Sequence, residues 1–207
     1  MSLFSRLAEK SWLSPGTDGY QDPAGYRPTA VAVGLYIYFG VVVVIFSLIV
    51  AAYLMRMGLH EALGHVSDWR TMPEPPLLWI NTGILIVSSL AWETARRASL
   101  AGRFERMRAG TIAGGFLGLA FLLAQLLLWR QYMAAGYYLS ANPANAFFYF
   151  LTAVHGLHLA GGLVACGSIV GGSGDPGRTS RNVRLCAIYW HFLLLIWVLL
   201  AALLLST

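Results

Sequence analysis

The sequence predicts an all-α integral membrane bundle of five transmembrane helices, with the N-terminus cytoplasmic and the C-terminus outside. Three observations predict it. Of 207 residues, 57% are hydrophobic and only 11% are charged, and the mean hydropathy is +0.63; a soluble domain carries about a quarter of its residues as charges. Five stretches supply the ~20 predominantly apolar residues that a spanning helix needs. The arginines collect in alternate connections, the pattern that sets orientation in a bilayer.

Residues 1–29 are polar and broken by Pro15, Pro23 and Pro28. They read as a cytoplasmic arm, because no apolar run there leads to a small-residue cleavage site. Phe4, Leu7, Trp12 and Leu13 would rest the arm on the membrane surface. Residues 30–207 form the transmembrane domain. Its spans are expected near residues 30–54, 77–92, 111–131, 146–170 and 183–205, the second being the shortest and extending over Glu93 to Ala95. Between the first two spans lies an outer loop, 55–76, ending in M-P-E-P-P, which enforces an extended entry into the second span. The G-G-S-G-D-P-G run at 171–177 reads as a flexible turn.

Arg6, Lys10 and Arg27 lie in the arm, Arg96, Arg97, Arg103, Arg106 and Arg108 follow the second span, and Arg178 and Arg181 precede the fifth, with Arg184 at its start. The other side holds only Arg56, Arg70 and Arg130. The net charge of +5 expresses this bias rather than a nucleic-acid footprint, since no basic stretch is interleaved with aromatics. Cys166 and Cys186 form no C-x-x-C pair and read as small packing residues.

Within the spans, small and polar residues fall in stripes. The second aligns Thr82, Ser89, Glu93 and Arg97. The third aligns Gly114, Gly118, Phe121, Gln125 and Trp129. The fourth aligns Thr152, His155, Gly162 and Cys166, with His158 beside them. Such faces belong against other helices, where small residues permit close approach and polar ones bond across.

An imidazole in hydrocarbon calls for a partner. For His155, His158 and His191 the residues leave several partners open: a neighbouring helix, a lipid head group or water, or b-type haem with His158 and His191 as axial ligands. Directly packed helices sit ~8–10 Å apart, which leaves little room for a haem between them. The H-x-x-H spacing puts His155 and His158 on one helix face, but no Cys, Asp or Glu stands near in sequence to complete a zinc site. Glu93 is the one acid that approaches the membrane. It reads as a helix-end ion pair with Arg97, or as a proton entry point or head-group contact. No Ser-His-Asp set, phosphate-cradling loop or pair of carboxylates is legible, so the chain reads as non-catalytic by itself.

The run F-F-Y-F-L-T-A-V-H-G-L-H-L-A-G-G at 147–162 resembles the H-G-x-H-x-x-x-G helix of subunit III of haem–copper oxidases. G-L-Y-I-Y-F at 34–39 with A-A-Y-L at 51–54 is similar to that family's first shared helix. L-L-W-I-N-T-G-I-L-I-V-S-S at 77–89, which contains Asn81, is similar to its N-T…S-S helix. Gln125 falls at a helix-embedded glutamine, and Y-W-H-F at 189–192 is similar to the motif that opens the last helix. Five helices suit the short bacterial form, which lacks the two N-terminal helices of the seven-helix form.

The resemblance implies a non-catalytic subunit of a respiratory terminal oxidase in a bacterial cytoplasmic membrane. It places haem and copper in the partner catalytic subunit and none on this chain, with phospholipid as a structural component. It also implies lipid-contact or interhelical polar roles for His155, His158, Trp190, His191, Glu93, Arg97, Gln125 and Asn81, the histidines and Trp190 facing a lipid-filled cleft. Two positions depart from the family. Val41 and Val42 stand where it has S-E, and Leu193 and Leu194 where it has V-D, so the roles of those acids do not transfer. A companion subunit of nitric oxide reductases shares the fold and is the alternative within it. A b-type haem electron-transfer subunit is an alternative of another class. A small transporter is disfavoured, because no helix is broken by Gly/Pro pairs around a buried charge.

Overall fold

The computed structural model describes residues 30–63, 76–171 and 176–205. The predicted arm 1–29 and the second half of the outer loop lie outside them. The described chain forms five helices: α1 (Ala30–Leu63), α2 (Pro76–Leu100), α3 (Phe104–Ala134), α4 (Pro143–Gly171) and α5 (Pro176–Leu205). Each contains a segment long and apolar enough to cross a membrane, and the chain is a multi-pass membrane protein.

The helices outrun the predicted spans at both ends, because apolar length measures the membrane while chain chemistry sets where a helix stops. α2, α4 and α5 begin at Pro76, Pro143 and Pro176, and proline suits a first helical residue, whose N–H has no partner in the helix. Asn142 caps α4, its Oδ1 accepting the Ala144 N–H at 3.0 Å. Just past the ends of α2 and α3 stand Gly102 (φ 68°) and Gly136 (φ 89°), in the left-handed region that suits glycine. In both turns the next residue's N–H reaches back to the helix, Arg103 to Ala98 O at 2.9 Å and Tyr137 to Tyr132 O at 3.0 Å.

Three expectations change as a result. Residues 55–63 continue α1 instead of looping. Arg96 and Arg97 lie inside α2 rather than in the loop after it, and Arg178 and Arg181 occupy the first turns of α5 rather than a loop.

α2 and α3 form the most extensive pair, α5 packs antiparallel on α2 and on α4, and the main contacts of α1, with α4 and α5, are light. Most of α1 stays exposed, with Ala32, Val42, Phe46 and Tyr53 turned inward. Ser180 Oγ donates to Ser99 O at 3.3 Å, which sets the arginine-rich start of α5 beside the arginine-rich end of α2.

Between spanning helices lipid supplies no hydrophobic drive, so close contact has to hold the bundle. Here it comes from aromatic rings lying on glycines. A Cβ at Gly114 would stand 2.7 Å from the Trp92 ring, and one at Gly118 would strike Trp190. At Gly162 it would overlap Tyr189. Gly118→Leu is therefore expected to destabilise the bundle by at least the ~1–3 kcal/mol typical of overpacking, read as a lower melting midpoint of the purified protein. Leucine at Gly83, where a Cβ meets nothing within 4 Å, should leave the midpoint unchanged.

Candidate functional site

The polar side chains predicted to matter fall into three groups at different depths. Nearest the arginine-rich end, Glu93 accepts two hydrogen bonds from Arg96, Nε–H to Oε2 and Nη2–H to Oε1, each 2.7 Å. Arg97 Nε–H donates to the same Oε1 at 2.7 Å. His191 of α5 joins the group, its Nε2 lying 3.4 Å from Glu93 Oε2 and its Nδ1 2.5 Å from Ser89 Oγ. A carboxylate only accepts, so the Nε2 proton faces Glu93 and Nδ1 accepts from the Ser89 hydroxyl. Sequence reasoning found no Ser-His-acid set. The fold assembles one, Ser89–His191–Glu93, because antiparallel packing brings positions about a hundred residues apart to one level. Ser89 is buried and its hydroxyl is committed to the ring, so the trio acts as a polar clamp between α2 and α5 and not as an exposed nucleophile.

One step deeper, the Trp190 indole N–H donates to Ser88 Oγ at 2.8 Å, and Ser88 Oγ–H donates to Gly114 O at 2.8 Å. Three helices are thereby joined through one hydroxyl. Ser88 lies one position off the predicted polar stripe and was missed, as was Trp92, which is packed against Trp190 with ring centroids 5.3 Å apart.

In the bundle centre, Asn81 Nδ2–H donates to Gln125 Oε1 at 2.9 Å, and Trp197 Nε1–H to Thr82 Oγ1 at 3.0 Å. His155 is fully buried, with its ring 5.9 Å from Phe121 and 5.1 Å from Trp197. Further along, Trp129 Nε1–H donates to Thr152 Oγ1 at 3.1 Å.

His158 has another environment. Its Nδ1–H donates to Val154 O at 2.7 Å within α4, and it lies against Phe46 and Tyr38 of α1. With Tyr38, Gly162, Asn182 and Tyr189 it lines an apolar cleft of about 480 Å³ between α1, α4 and α5. Of the four residues expected to face a common cleft, His158 alone lines this one. His155 and Trp190 are enclosed in the bundle, and His191 turns to α2. The pair weighed as haem ligands thus engages different helices, with both His191 nitrogens and the His158 Nδ1 already committed. Cys166 and Cys186 are free and buried, and both belong to the main core.

No family model matches the chain. Relatives are nevertheless found along nearly its full length. It is 31% identical over 198 residues to "Cytochrome c oxidase subunit 3" of Thermostichus vulcanus, covering 92% of this chain and 94% of that one. The chain belongs to the subunit 3 family of cytochrome c and quinol oxidases. More distant relatives carry the same assignment. "Cytochrome bo(3) ubiquinol oxidase subunit 3" of Pseudomonas aeruginosa is 26% identical over 80% of this chain and 79% of its own. "Quinol oxidase subunit 3" of Bacillus subtilis is 26% identical over 80% and 81%.

In this subunit 3 chain, the two departures noted in the sequence sit in apolar surroundings. Val42 is buried with Phe46, Leu151, Ile196 and Leu200, a cluster with no polar side chain among its members. Leu194 packs, partly buried, against the main core.

Exposed ion pairs contribute little because water and salt screen them, whereas a buried indole that loses its acceptor loses a full hydrogen bond. Glu93→Gln should therefore cost under ~1 kcal/mol. Ser88→Ala, which strands the buried Trp190 N–H and one Gly114 contact, should cost about 1–3 kcal/mol. Melting curves of the two variants give the ranking, and a Glu93→Gln loss as large as that of Ser88→Ala would assign the α2–α5 clamp to the ions.

Proposed function

We propose that this chain is a non-catalytic subunit of a bacterial respiratory haem–copper terminal oxidase in the cytoplasmic membrane, with its arginine-rich end on the cytoplasmic side. The catalytic partner carries haem and copper, reduces oxygen to water and pumps protons. This chain stabilises that partner and organises lipid beside it. The reading is carried by 31% identity over almost the whole of both chains to a named oxidase subunit 3. The polar side chains support a scaffold role, since Asn81, Ser88, Ser89, Trp190 and His191 are engaged in joining helices.

Two surfaces support the lipid reading. The cleft beside His158 is apolar and opens beside the loosely held α1, a shape suited to acyl chains. At the arginine-rich end of α2 and α3, Arg97, Arg103 and Arg106 rim a groove floored by Ala91, Ala98 and Gly110. Guanidinium groups hold phosphate through paired N–H donors, so this groove suits an anionic head group.

Gentle purification with accompanying subunits, followed by a reduced-minus-oxidised spectrum and a metal count, tests the assignment. Haem and copper are expected to stay with a larger partner when this chain is stripped away. Iron without copper in the partner would indicate the nitric oxide reductase companion, and haem retained by this chain alone would overturn the reading. For the lipid role, Arg103→Gln with Arg106→Gln should reduce the co-purified anionic phospholipid seen by mass spectrometry, with haem per catalytic subunit unchanged.

A further inference from the structure

The centre of the bundle holds four polar atoms with no hydrogen-bond partner among the described residues. They are Asn81 Oδ1, Gln125 Nε2 and both ring nitrogens of His155. All three side chains are buried, at 0%, 3% and 0% exposure. Shared neighbours connect them. Asn81 and Gln125 are bonded to each other across α2 and α3. Thr82, next to Asn81, accepts from Trp197 of α5, and that indole lies on the His155 ring. Phe121, one turn before Gln125 on α3, meets the same ring edge-on.

Their chemistry is complementary. The Gln125 amide N–H is a donor and the Asn81 carbonyl an acceptor, while a neutral imidazole supplies one of each. Burying such groups unpaired is costly, and far from bulk water the cost falls in full. A water molecule carries two donors and two acceptors and is the smallest species that satisfies this set; buried waters in proteins typically make about three such bonds.

We infer that the bundle contains an internal water-binding site walled by Asn81, Gln125 and His155, which ties α4 to the α2–α3 pair through solvent. The water accepts from Gln125 Nε2–H, donates to Asn81 Oδ1, and bonds one nitrogen of the His155 ring. His155 is then a structural solvent ligand, distinct in role from His158 one turn later.

Two measurements on the purified protein with its accompanying subunits test this. A high-resolution map should show a peak about 3 Å from Gln125 Nε2, Asn81 Oδ1 and the His155 ring. Gln125 or Asn81 turned directly onto the imidazole, with no peak between, would overturn the site. In a double-mutant cycle, His155→Phe and Gln125→Leu should each lower the melting midpoint by several degrees, and the double variant should fall little further, because either change already breaks the bridge. Additive losses, or a midpoint raised by His155→Phe, would mean that the ring is a dry packing element and would overturn the inference.

Discussion

Trp190 stands where α2, α3 and α5 meet, and the rest of the bundle is arranged around it. Its indole N–H reaches Ser88, whose hydroxyl reaches the Gly114 carbonyl, and its ring fills the notch at Gly118. In water such a ring would be driven inward by its apolar area. In lipid that drive is absent, and what remains is dispersion between closely fitted surfaces and hydrogen bonds that the acyl chains cannot replace. Glycine and tryptophan therefore occur as a matched pair. At Gly114, Gly118 and Gly162 the ring that reaches across the interface finds an absent Cβ on the other side.

The same constraint sorts the histidines. His191 bridges α2 through Ser89 and Glu93, His158 satisfies itself on its own helix and borders the α1 cleft, and His155 is enclosed between Phe121 and Trp197. Three imidazoles of one chemical type thus hold three positions in the fold, separated by which helix each one faces.

Much of this was legible in the sequence. The five spans follow from apolar length, and the α3 stripe of Gly114, Gly118, Phe121 and Gln125 is buried as its spacing requires. Helix ends were less legible, because they depend on Gly102, Gly136 and the three initiating prolines rather than on hydropathy. The site was readable only in part. Periodicity locates a residue on a face but does not say which helix covers that face, so the Ser89–His191–Glu93 clamp, joined across about a hundred residues, had no local signature. Ser88 escaped for a related reason: neighbouring serines point to different sides of a helix, and only the packed structure shows that both faces are covered.

The short turns at Gly102 and Gly136 have a consequence for biogenesis. They let α2, α3 and α4 fold back on one another as soon as they leave the translocation channel, using contacts close in sequence. Yet the partners of Thr82, Ser88 and Ser89 reside on α5, which is synthesised after the other four. Until it arrives, the oxygens of Thr82 and Ser88 lack the indole donors of Trp197 and Trp190, and the Ser89 hydroxyl lacks the His191 ring. Arrival of α5 closes that seam, so a chain that still lacks this helix differs from one that has it in a way that the membrane itself registers.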